Sequence, residues 1–547
     1  MKKAMILLLT FIMLLSFVAC GGTNEPKENS PAPATKTDDV KPAPATEPDD
    51  TAETKPALAK ITVEVFDRGT DGGKTDPTNN YWAKWIKEKV LAEENIEVTF
   101  VPVSRSDETT QLNNLMASGT APDICYTYSG DLVTLYRDQG GLTELSPFIP
   151  AMKDMDALLG EDKALPGRRM IERNKDLTDN TIHSFVARRM NVAMITTVIR
   201  KDWLDILGLG LPTTRDEWYN ALKAFKDNAA KLGTDVIPFT MTPDIRWRAS
   251  NLVNSFVDPG ISAKDRWINT PLGRNILLDG AKEGYRFLNK MYLEGLIDPE
   301  FYLYKDDVKN EELIKAGRVG SFIHNWDQAY RNSPSWQDGM ILNVPNAEYV
   351  AIDPFVNAAG KTYKGKYDAA GINIFIPATA KEPEAACRYL NWLTKNEVSK
   401  FLQFGEEGKN HKIVNGLPAS IPATGETIQN SGNNLDYTMP MNGIWLGDEE
   451  TTIKALANGY TCEAKYIVDA YNTAMKDAEA DLVVPVILSA AGPYTEDLTK
   501  KADDGGSNAV RAKAGEFDKI WDAFIADWRA SGADEIIAER AAKYVGP

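Results

Sequence analysis

Residues 61–66 read Ile-Thr-Val-Glu-Val-Phe, and this stretch, with its continuation to residue 124, decides the fold. Apolar and polar side chains alternate here and again in residues 96–100, as they do in half-buried β-strands. Between these strands, large apolar residues recur at helical spacing at Trp82, Trp85, Ile86 and Val90. A second helix, ending near Gly119, and a third strand follow. Strand, helix, strand, helix and strand in this order predict an α/β layer built on a parallel sheet.

The N-terminus carries an export signal. Lys2 and Lys3 precede an apolar run from Met5 to Ala19, which is shorter than the roughly 20 residues that a membrane-spanning helix needs. Cys20 follows directly and is succeeded by two glycines. This arrangement resembles a bacterial lipoprotein signal, in which the cysteine is acylated and becomes the mature N-terminus. We expect residues 1–19 to be the signal peptide and Cys20 the lipidation site; an ordinary cleaved signal is the alternative.

Residues 20–59 predict a tether. After Cys20 the segment is rich in Pro, Ala, Thr, Lys, Asp and Glu and has almost no large apolar side chains. Such a composition cannot bury enough surface to offset the entropy lost on ordering. We expect a disordered spacer that holds a folded body away from a membrane. A plain disordered terminus without an anchor is the alternative.

Composition limits what the remaining chain can do. About 490 residues follow the tether in a chain of 547, and this length requires at least two lobes. The formal net charge of −17 argues against nucleic acid, because phosphate binding needs basic patches. It disfavours strongly anionic ligands only weakly, since one basic pocket can lie within an acidic protein. Cys125, Cys387 and Cys462 do not form a disulfide framework, although one bridge stays open.

The sequence predicts no catalytic centre. It has three histidines, His183, His324 and His411, and no zinc-protease, nucleophile-elbow, phosphate-loop or dinucleotide motif. Asp and Glu total 78, so a pair of catalytic carboxylates is not excluded by counting. We expect a binding protein rather than an enzyme, with no cofactor and no bound metal.

Six short phrases occur in a fixed order between residues 116 and 392. They are MASGTAPDI (116–124), GGLTELSP (140–147), the block 200–218, YLEGLIDPE (292–300), GRVG with NW (317–326) and the segment 384–392. In this order they resemble the extracellular solute-binding proteins (family 1) of carbohydrate-type ABC importers. The similarity is closest to the large Gram-positive lipoprotein branch related to alginate-oligosaccharide binders. One stretch departs from the family: residues 227–238 lack the alternating oxygen ligands of a calcium loop, so we expect no calcium there.

The resemblance implies an α/β, two-lobe fold like that of periplasmic binding proteins (type II), with a hinge and a ligand cleft between the lobes. We expect residues 60–187 and 356–405 to form the N-terminal lobe and residues 188–355 and 406–547 the C-terminal lobe. It further implies a monomer at the outer face of the cell membrane, lipid-anchored, that captures an oligosaccharide and delivers it to ABC transporter permease subunits.

Candidate ligand-binding residues follow from position and chemistry. Aromatic faces stack on sugar rings, and planar polar side chains form paired hydrogen bonds with adjacent hydroxyls. Ligands of open α/β sheets bind beyond the carboxyl ends of strands. We select residues at such ends, in polar loops, near the expected lobe crossings or where the family places a stacking aromatic: Arg68, Tyr81, Tyr128, Ser129, Arg188, Trp247, Arg248, Asn325, Trp326, Asn373 and Trp445.

Two other functions stay open at this point. The same topology serves peptides and other polar solutes, since fold does not choose the ligand. A surface polysaccharide hydrolase or lyase would also suit an exported protein with many carboxylates.

Overall fold

The computed structural model describes residues 56–69, 76–331, 335–421 and 435–546. The expected signal peptide 1–19, Cys20 and most of the expected tether lie outside these residues. The strands, in chain order, are β1 Ala59–Asp67, β2 Ile96–Ser104, β3 Cys125–Thr127, β4 Ser184–Arg189, β5 Ile195–Arg200, β6 Ile237–Thr240, β7 Val319–Asn325, β8 Tyr349–Ile352, β9 Lys364–Lys366, β10 Ala370–Phe375, β11 His411–Val414, β12 Leu417–Ser420, β13 Met441–Asn442 and β14 Ala478–Ala480.

The helices cover both faces of the two main sheets. In chain order they are α1 Tyr81–Glu94, α2 Glu108–Ser118, α3 Gly130–Asp138, α4 Lys153–Leu159, α5 Lys201–Leu207, α6 Arg215–Asp227, α7 Ala229–Leu232, α8 Ile245–Arg248, α9 Ser250–Asn254, α10 Ala263–Asn269, α11 Ala281–Leu293, α12 Val308–Lys315, α13 Trp336–Asn343, α14 Pro383–Leu393, α15 Asn396–Phe404, α16 Glu449–Gly459, α17 Ala464–Met475, α18 Thr495–Val510, α19 Phe517–Trp528 and α20 Asp534–Lys543.

The first lobe is built on a sheet in which β13, β4, β10 and β3 are neighbours in that order. The parallel pair β1–β2 joins it through a bridge between Val63 and Ile124. Successive side chains of a strand point to opposite faces. Accordingly, Tyr126 and Ile374 lie in one core, with α1 and α14, while Cys125 and Phe375 lie in another, with α3.

The second lobe is built on the sheet β6–β7–β5–β8. Its two faces again carry separate cores. Ile199 and Ile323 pack with α6, α11 and the C-terminal helices α18 and α19, while Val198 and Phe322 pack with α13 and α17. Two sheets, each covered by helices on both faces, confirm the expected two-lobe α/β fold.

The chain passes between the two sheets at residues 190–194, which join β4 to β5, and at residues 353–369, which lead from β8 to β10. One boundary differs from the sequence expectation, which placed everything after residue 405 in the second lobe. β13 pairs in parallel with β4, and Tyr437 is buried in the first lobe's core. The passage to α16 therefore follows Asn442. A two-residue strand has no periodicity that a sequence could reveal.

Candidate functional site

One edge of the first sheet gathers the ends of several strands. β3 ends at Thr127 and β4 ends at Arg189, while β10, antiparallel to both, begins at Ala370. Tyr128, Arg189 and Tyr367 therefore emerge at the same edge. In α/β sheets this edge is where ligands bind.

Glu108 fixes the end of β3. Its carboxylate accepts the Tyr128 backbone N–H at 3.0 Å and a short hydrogen bond from the Thr127 hydroxyl. Arg105 donates to the other carboxylate oxygen at 2.8 Å. The guanidinium carbon of Arg105 also lies 4.5 Å from the centre of the Tyr128 ring. These contacts of Glu108 and Arg105 fix the position of Tyr128 at the end of β3.

Ser129 starts the next element. Its hydroxyl accepts the Leu132 backbone N–H at 3.3 Å and caps α3. An N-cap of this kind satisfies one of the free donors of the first helical turn. The role of Ser129 in ligand binding stays a prediction.

Half-buried aromatic rings and guanidinium groups form a continuous stack from the first lobe to the second. Beyond Tyr128, the Arg189 guanidinium carbon lies 6.0 Å from the Tyr128 ring and 3.9 Å from the Tyr367 ring. Tyr367 and Trp247 have ring centres 5.9 Å apart, and the Arg246 guanidinium carbon lies 5.7 Å from the Trp247 ring. We call these residues the interlobe ladder: Arg105, Tyr128, Arg189, Tyr367, Trp247 and Arg246.

The ladder contains two of the residues selected from the sequence, Tyr128 and Trp247. It contains Arg189 where the sequence selection named Arg188. The two arginines are consecutive in β4, so their side chains point to opposite faces. The Arg188 side chain donates to the Leu159 carbonyl oxygen at 2.9 Å inside the first lobe. The Arg189 Nε has no hydrogen-bond partner within the described residues. Knowing the strand register would have distinguished them.

Tyr367 was missed by sequence reasoning for another reason. It lies in the second passage between the sheets, and its backbone N–H donates to the Val192 carbonyl oxygen, in the first passage, at 2.9 Å. Burial raises the pKa of its phenol, while the charges of Arg189 and Arg246 act against that rise. Both cations are thus close enough to act on one hydroxyl. No local pattern in residues 353–369 indicates that Tyr367 lies beside these two arginines.

A buried polar cluster of the second lobe includes Arg248, the residue after Trp247. Helix α8 follows β6, and Arg248 donates to Asp307 Oδ2 at 2.7 Å. His324 Nε2 lies 2.9 Å from the same oxygen, and its Nδ1 accepts the Asn325 backbone N–H at 2.7 Å. Burial, with the charge of Arg248, lowers the pKa of His324 to about 4. Although burial opposes the change, the hydrogen bond from His324 and the charge of Arg248 lower the pKa of Asp307 to about 2.

Arg248 and Asn325 therefore lie at one buried cluster beside the ladder. Arg248 is engaged by Asp307, and the Asn325 side chain is half-buried at the end of β7. Trp326 is only 6% exposed, and its ring packs edge-on against Tyr471 at 5.4 Å. In this conformation Trp326 belongs to the second lobe's core.

Arg68, Tyr81 and Trp445 are held by other contacts. Arg68 makes two hydrogen bonds to Asp436, of 2.6 and 2.8 Å. Tyr81 opens α1 and lies under the Lys409 ammonium, 4.3 Å from the ring centre. Trp445 lies half-buried in the third passage between the lobes, where its backbone N–H donates to Gln403 Oε1 at 2.7 Å. Their contact with a ligand stays a prediction.

Asn373 borders a cavity beside the ladder. Its Oδ1 accepts from Asn174 Nδ2 at 3.0 Å. The cavity has a volume of about 230 Å³ and is also lined by Gly130, Asp131 and Arg173 on the first lobe. Residues 483–488, which follow β14, also line it. The volume is below the roughly 300–1,000 Å³ of typical ligand pockets.

The segment lining this cavity is fixed to the last helix. Glu539 accepts the backbone N–H groups of Ser489 and Ala490 at 3.0 and 2.9 Å. Just beyond it, Gly492 approaches α3 so closely that an added Cβ would lie 2.8 Å from the Cβ of Leu135. The chain next to this segment thus packs directly against α3 of the first lobe.

Within the described ranges, no group of three or more His, Cys, Asp or Glu side chains could hold a metal ion. The same part of the chain has no helix long and apolar enough to cross a membrane. Cys125, Cys387 and Cys462 are free and buried, so the bridge left open by the sequence is not formed.

Two α/β lobes with an aromatic stack between them define the class of a cleft-type solute receptor. Comparison with known proteins gives the family. Residues 74–400 match the model of the bacterial extracellular solute-binding protein family. Since this match covers more than half of the chain, the protein belongs to that family, as the six phrases indicated.

Individual relatives agree with this assignment. The chain is 22% identical to lipoprotein LipO of Bacillus subtilis over 459 residues, covering 81% of this chain and 85% of LipO. It is 21% identical over 516 residues to the polygalacturonan/rhamnogalacturonan-binding protein YtcQ of the same organism, covering 86% of this chain and 93% of YtcQ. Among solved structures it is similar to the alginate-binding protein AlgQ2 without calcium ion, with a TM-score of 0.66, 19% identity and coverage of 89% and 98%.

Proposed function

We propose that this protein is the receptor of an ABC importer: it captures an oligosaccharide between its lobes and delivers it, chemically unchanged, to permease subunits. The interlobe ladder carries the proposal. It presents half-buried aromatic rings from both lobes together with the Arg189 guanidinium, whose Nε has no hydrogen-bond partner within the described residues. Rings of this kind suit sugar faces, and guanidinium groups suit adjacent oxygens.

Contacts of the ligand with both lobes would supply the binding energy and stabilise the closed state. A ligand that touches Tyr128 on one lobe and Trp247 on the other binds the closed state better than the open one. Such a ligand shifts the equilibrium towards closure by its differential affinity for the two states. Family membership and the polysaccharide-binding relatives support this reading.

The proposal includes anchoring at the outer face of the membrane. Cys20 follows the apolar run of the export signal, and LipO is a lipoprotein. We infer that Cys20 is lipidated and that the segment up to β1 links the anchor to the lobes. No nucleic-acid partner and no catalytic step are part of this function.

A binding screen tests the proposal. The purified protein is incubated with a panel of plant and microbial oligosaccharides and with peptides of similar size, and its melting midpoint is followed. A ligand at 100 times its Kd should stabilise the fold by about 2.7 kcal/mol. The recovered ligand is then analysed by mass spectrometry. A rise in midpoint with intact oligosaccharide supports the receptor; stabilisation by peptides alone, or steady release of cleaved glycan, contradicts it.

A further inference from the structure

The two arginines that flank Tyr367 differ from the other cations around the cleft. Arg68, Arg248 and Arg274 each lie within 2.8 Å of an aspartate oxygen. Within the described residues, Arg189 has a free Nε and contacts aromatic rings instead. Among the same residues, no Asp or Glu forms an ion pair with Arg189, although the charge of Asp327 acts on the neighbouring Tyr367 phenol.

Arg246 is in a similar position. Its only side-chain hydrogen bond in the described part of the chain is to the Leu272 carbonyl oxygen, at 3.2 Å. Burial lowers the pKa of Arg246, and the neighbouring Arg274 lowers it further, against the charges of Asp244 and Asp503. These two aspartates already face Arg274, at 3.9 and 2.7 Å. The surroundings of Arg246 therefore disfavour its charge and would gain from an added anion.

We propose that the ligand is an acidic oligosaccharide and that one of its carboxylates binds between Arg189 and Arg246, beside the Tyr367 hydroxyl. This inference rests on the proposed function and names the substrate class. A guanidinium matches the two oxygens of a carboxylate and forms charge-assisted, paired hydrogen bonds with it. The neighbouring rings of Tyr128 and Trp247 take the faces of the sugars.

The overall charge of −17 does not oppose this site. At physiological ionic strength the Debye length is about 8 Å, so most surface carboxylates are screened from the cleft. The cations that flank Tyr367 act over shorter distances and at half-buried positions, where screening is weaker.

Calorimetric titration of the purified full chain tests the proposal. The probes are galacturonate and guluronate trisaccharides, the same trisaccharides with their carboxyl groups reduced to alcohols, and a sulfated neutral trisaccharide. We expect a uronate trisaccharide to bind at least tenfold more tightly than its reduced form. Equal or tighter binding of the reduced forms overturns the acidic ligand but leaves the receptor in place, and preference for sulfate overturns the carboxylate. Absence of binding to any oligosaccharide overturns the proposed function as well.

Variants locate the carboxylate. Arg189→Gln should weaken uronate binding by roughly 10- to 100-fold, the range for hydrogen bonds to charged groups, and should change binding of the reduced form by less than about threefold. Arg529→Gln changes the net charge equally at an exposed pair with Asp534 and should leave binding unchanged. Melting of the ligand-free variants reports folding, and Arg246→Gln carries the same expectation if Arg189→Gln fails to fold. Equal losses for uronate and reduced probes would overturn the assignment.

Discussion

The buried cluster of Arg248, Asp307 and His324 predicts that the free energy of unfolding depends on pH. The His324 ring is buried, lies against Trp336 with ring centres 5.3 Å apart, and faces the charges of Arg248, Asp307 and Arg331. Its folded-state pKa of about 4 is below the ordinary value of 6.5. A histidine with a lowered folded pKa is held neutral by the fold, so acidification favours the unfolded chain, which binds the proton first. Stability from this residue is complete above pH 6.5 and is lost as pH falls towards 4.

The magnitude follows from the shift. Between pH 7 and pH 5 the unfolded chain takes up a proton at His324 that the folded chain does not. At about 1.36 kcal/mol for each unit between the pKa and the pH, the loss is about 2 kcal/mol at pH 5. Asp307, with a pKa of about 2, loses its contribution only below this window. Asp503 acts in the opposite sense, because burial raises its pKa to about 6 and its protonation favours the fold.

The assay must therefore compare two proteins rather than two pH values alone. Urea unfolding at pH 7 and pH 5 is followed by tryptophan fluorescence for the natural chain and for His324→Asn. The natural chain should lose about 2 kcal/mol more than the variant on acidification, since the variant has no proton to bind there. His411→Asn is the control at a different buried histidine. Identical pH dependence of the natural chain and His324→Asn would refute the reasoning.

Three further outcomes are expected. Tyr367→Ala removes the middle of the interlobe ladder and should weaken oligosaccharide binding roughly 2- to 30-fold, the range of cation–π energies. The control is Tyr302→Ala, at an exposed ring, which should not weaken binding. Calorimetry that finds both variants equal to the natural chain would contradict the role of the ladder. Gly492→Ala places a Cβ 2.8 Å from Leu135 Cβ and 3.0 Å from the Asp131 carbonyl oxygen. This crowding should lower the free energy of unfolding by about 1–3 kcal/mol. Gly210→Ala, whose added Cβ would have nothing within 4 Å, is the control, and equal melting midpoints of the two variants would refute the close approach. Cys20→Ser should abolish incorporation of labelled palmitate and release the protein from the membrane fraction; retention of both would remove the anchor from the account.

The sequence predicted well the elements whose residues repeat regularly. The alternation in residues 61–66 lies in β1, and the helical spacing of Trp82, Trp85, Ile86 and Val90 lies in α1. The second helix, expected to end near Gly119, is α2, which ends at Ser118. Such patterns are local, because burial on one face requires a fixed spacing.

Two pairs of consecutive helices are separated by short breaks. Residues 383–404 form α14 and α15, with Thr394 and Lys395 between them. Likewise, α16 ends at Gly459 and α17 begins at Ala464. The apolar spacing continues across each break, so periodicity alone could not place the ends.

The candidate site was the least predictable part. Its composition depends on strand register, which separates Arg189 from Arg188, and on the passage that brings Tyr367 beside Val192. Both are long-range properties. Aromatic residues at strand ends and in polar loops led to the selection of Tyr128 and Trp247, which both lie in the interlobe ladder.

Hydrogen–deuterium exchange with and without the oligosaccharide found by the screen tests most directly that one ligand is held by both lobes. The account predicts simultaneous protection of residues 126–130 and 188–192 in the first lobe, residues 245–248 in the second and the passage at 365–369. Protection confined to one lobe, with the passage unchanged, would contradict it.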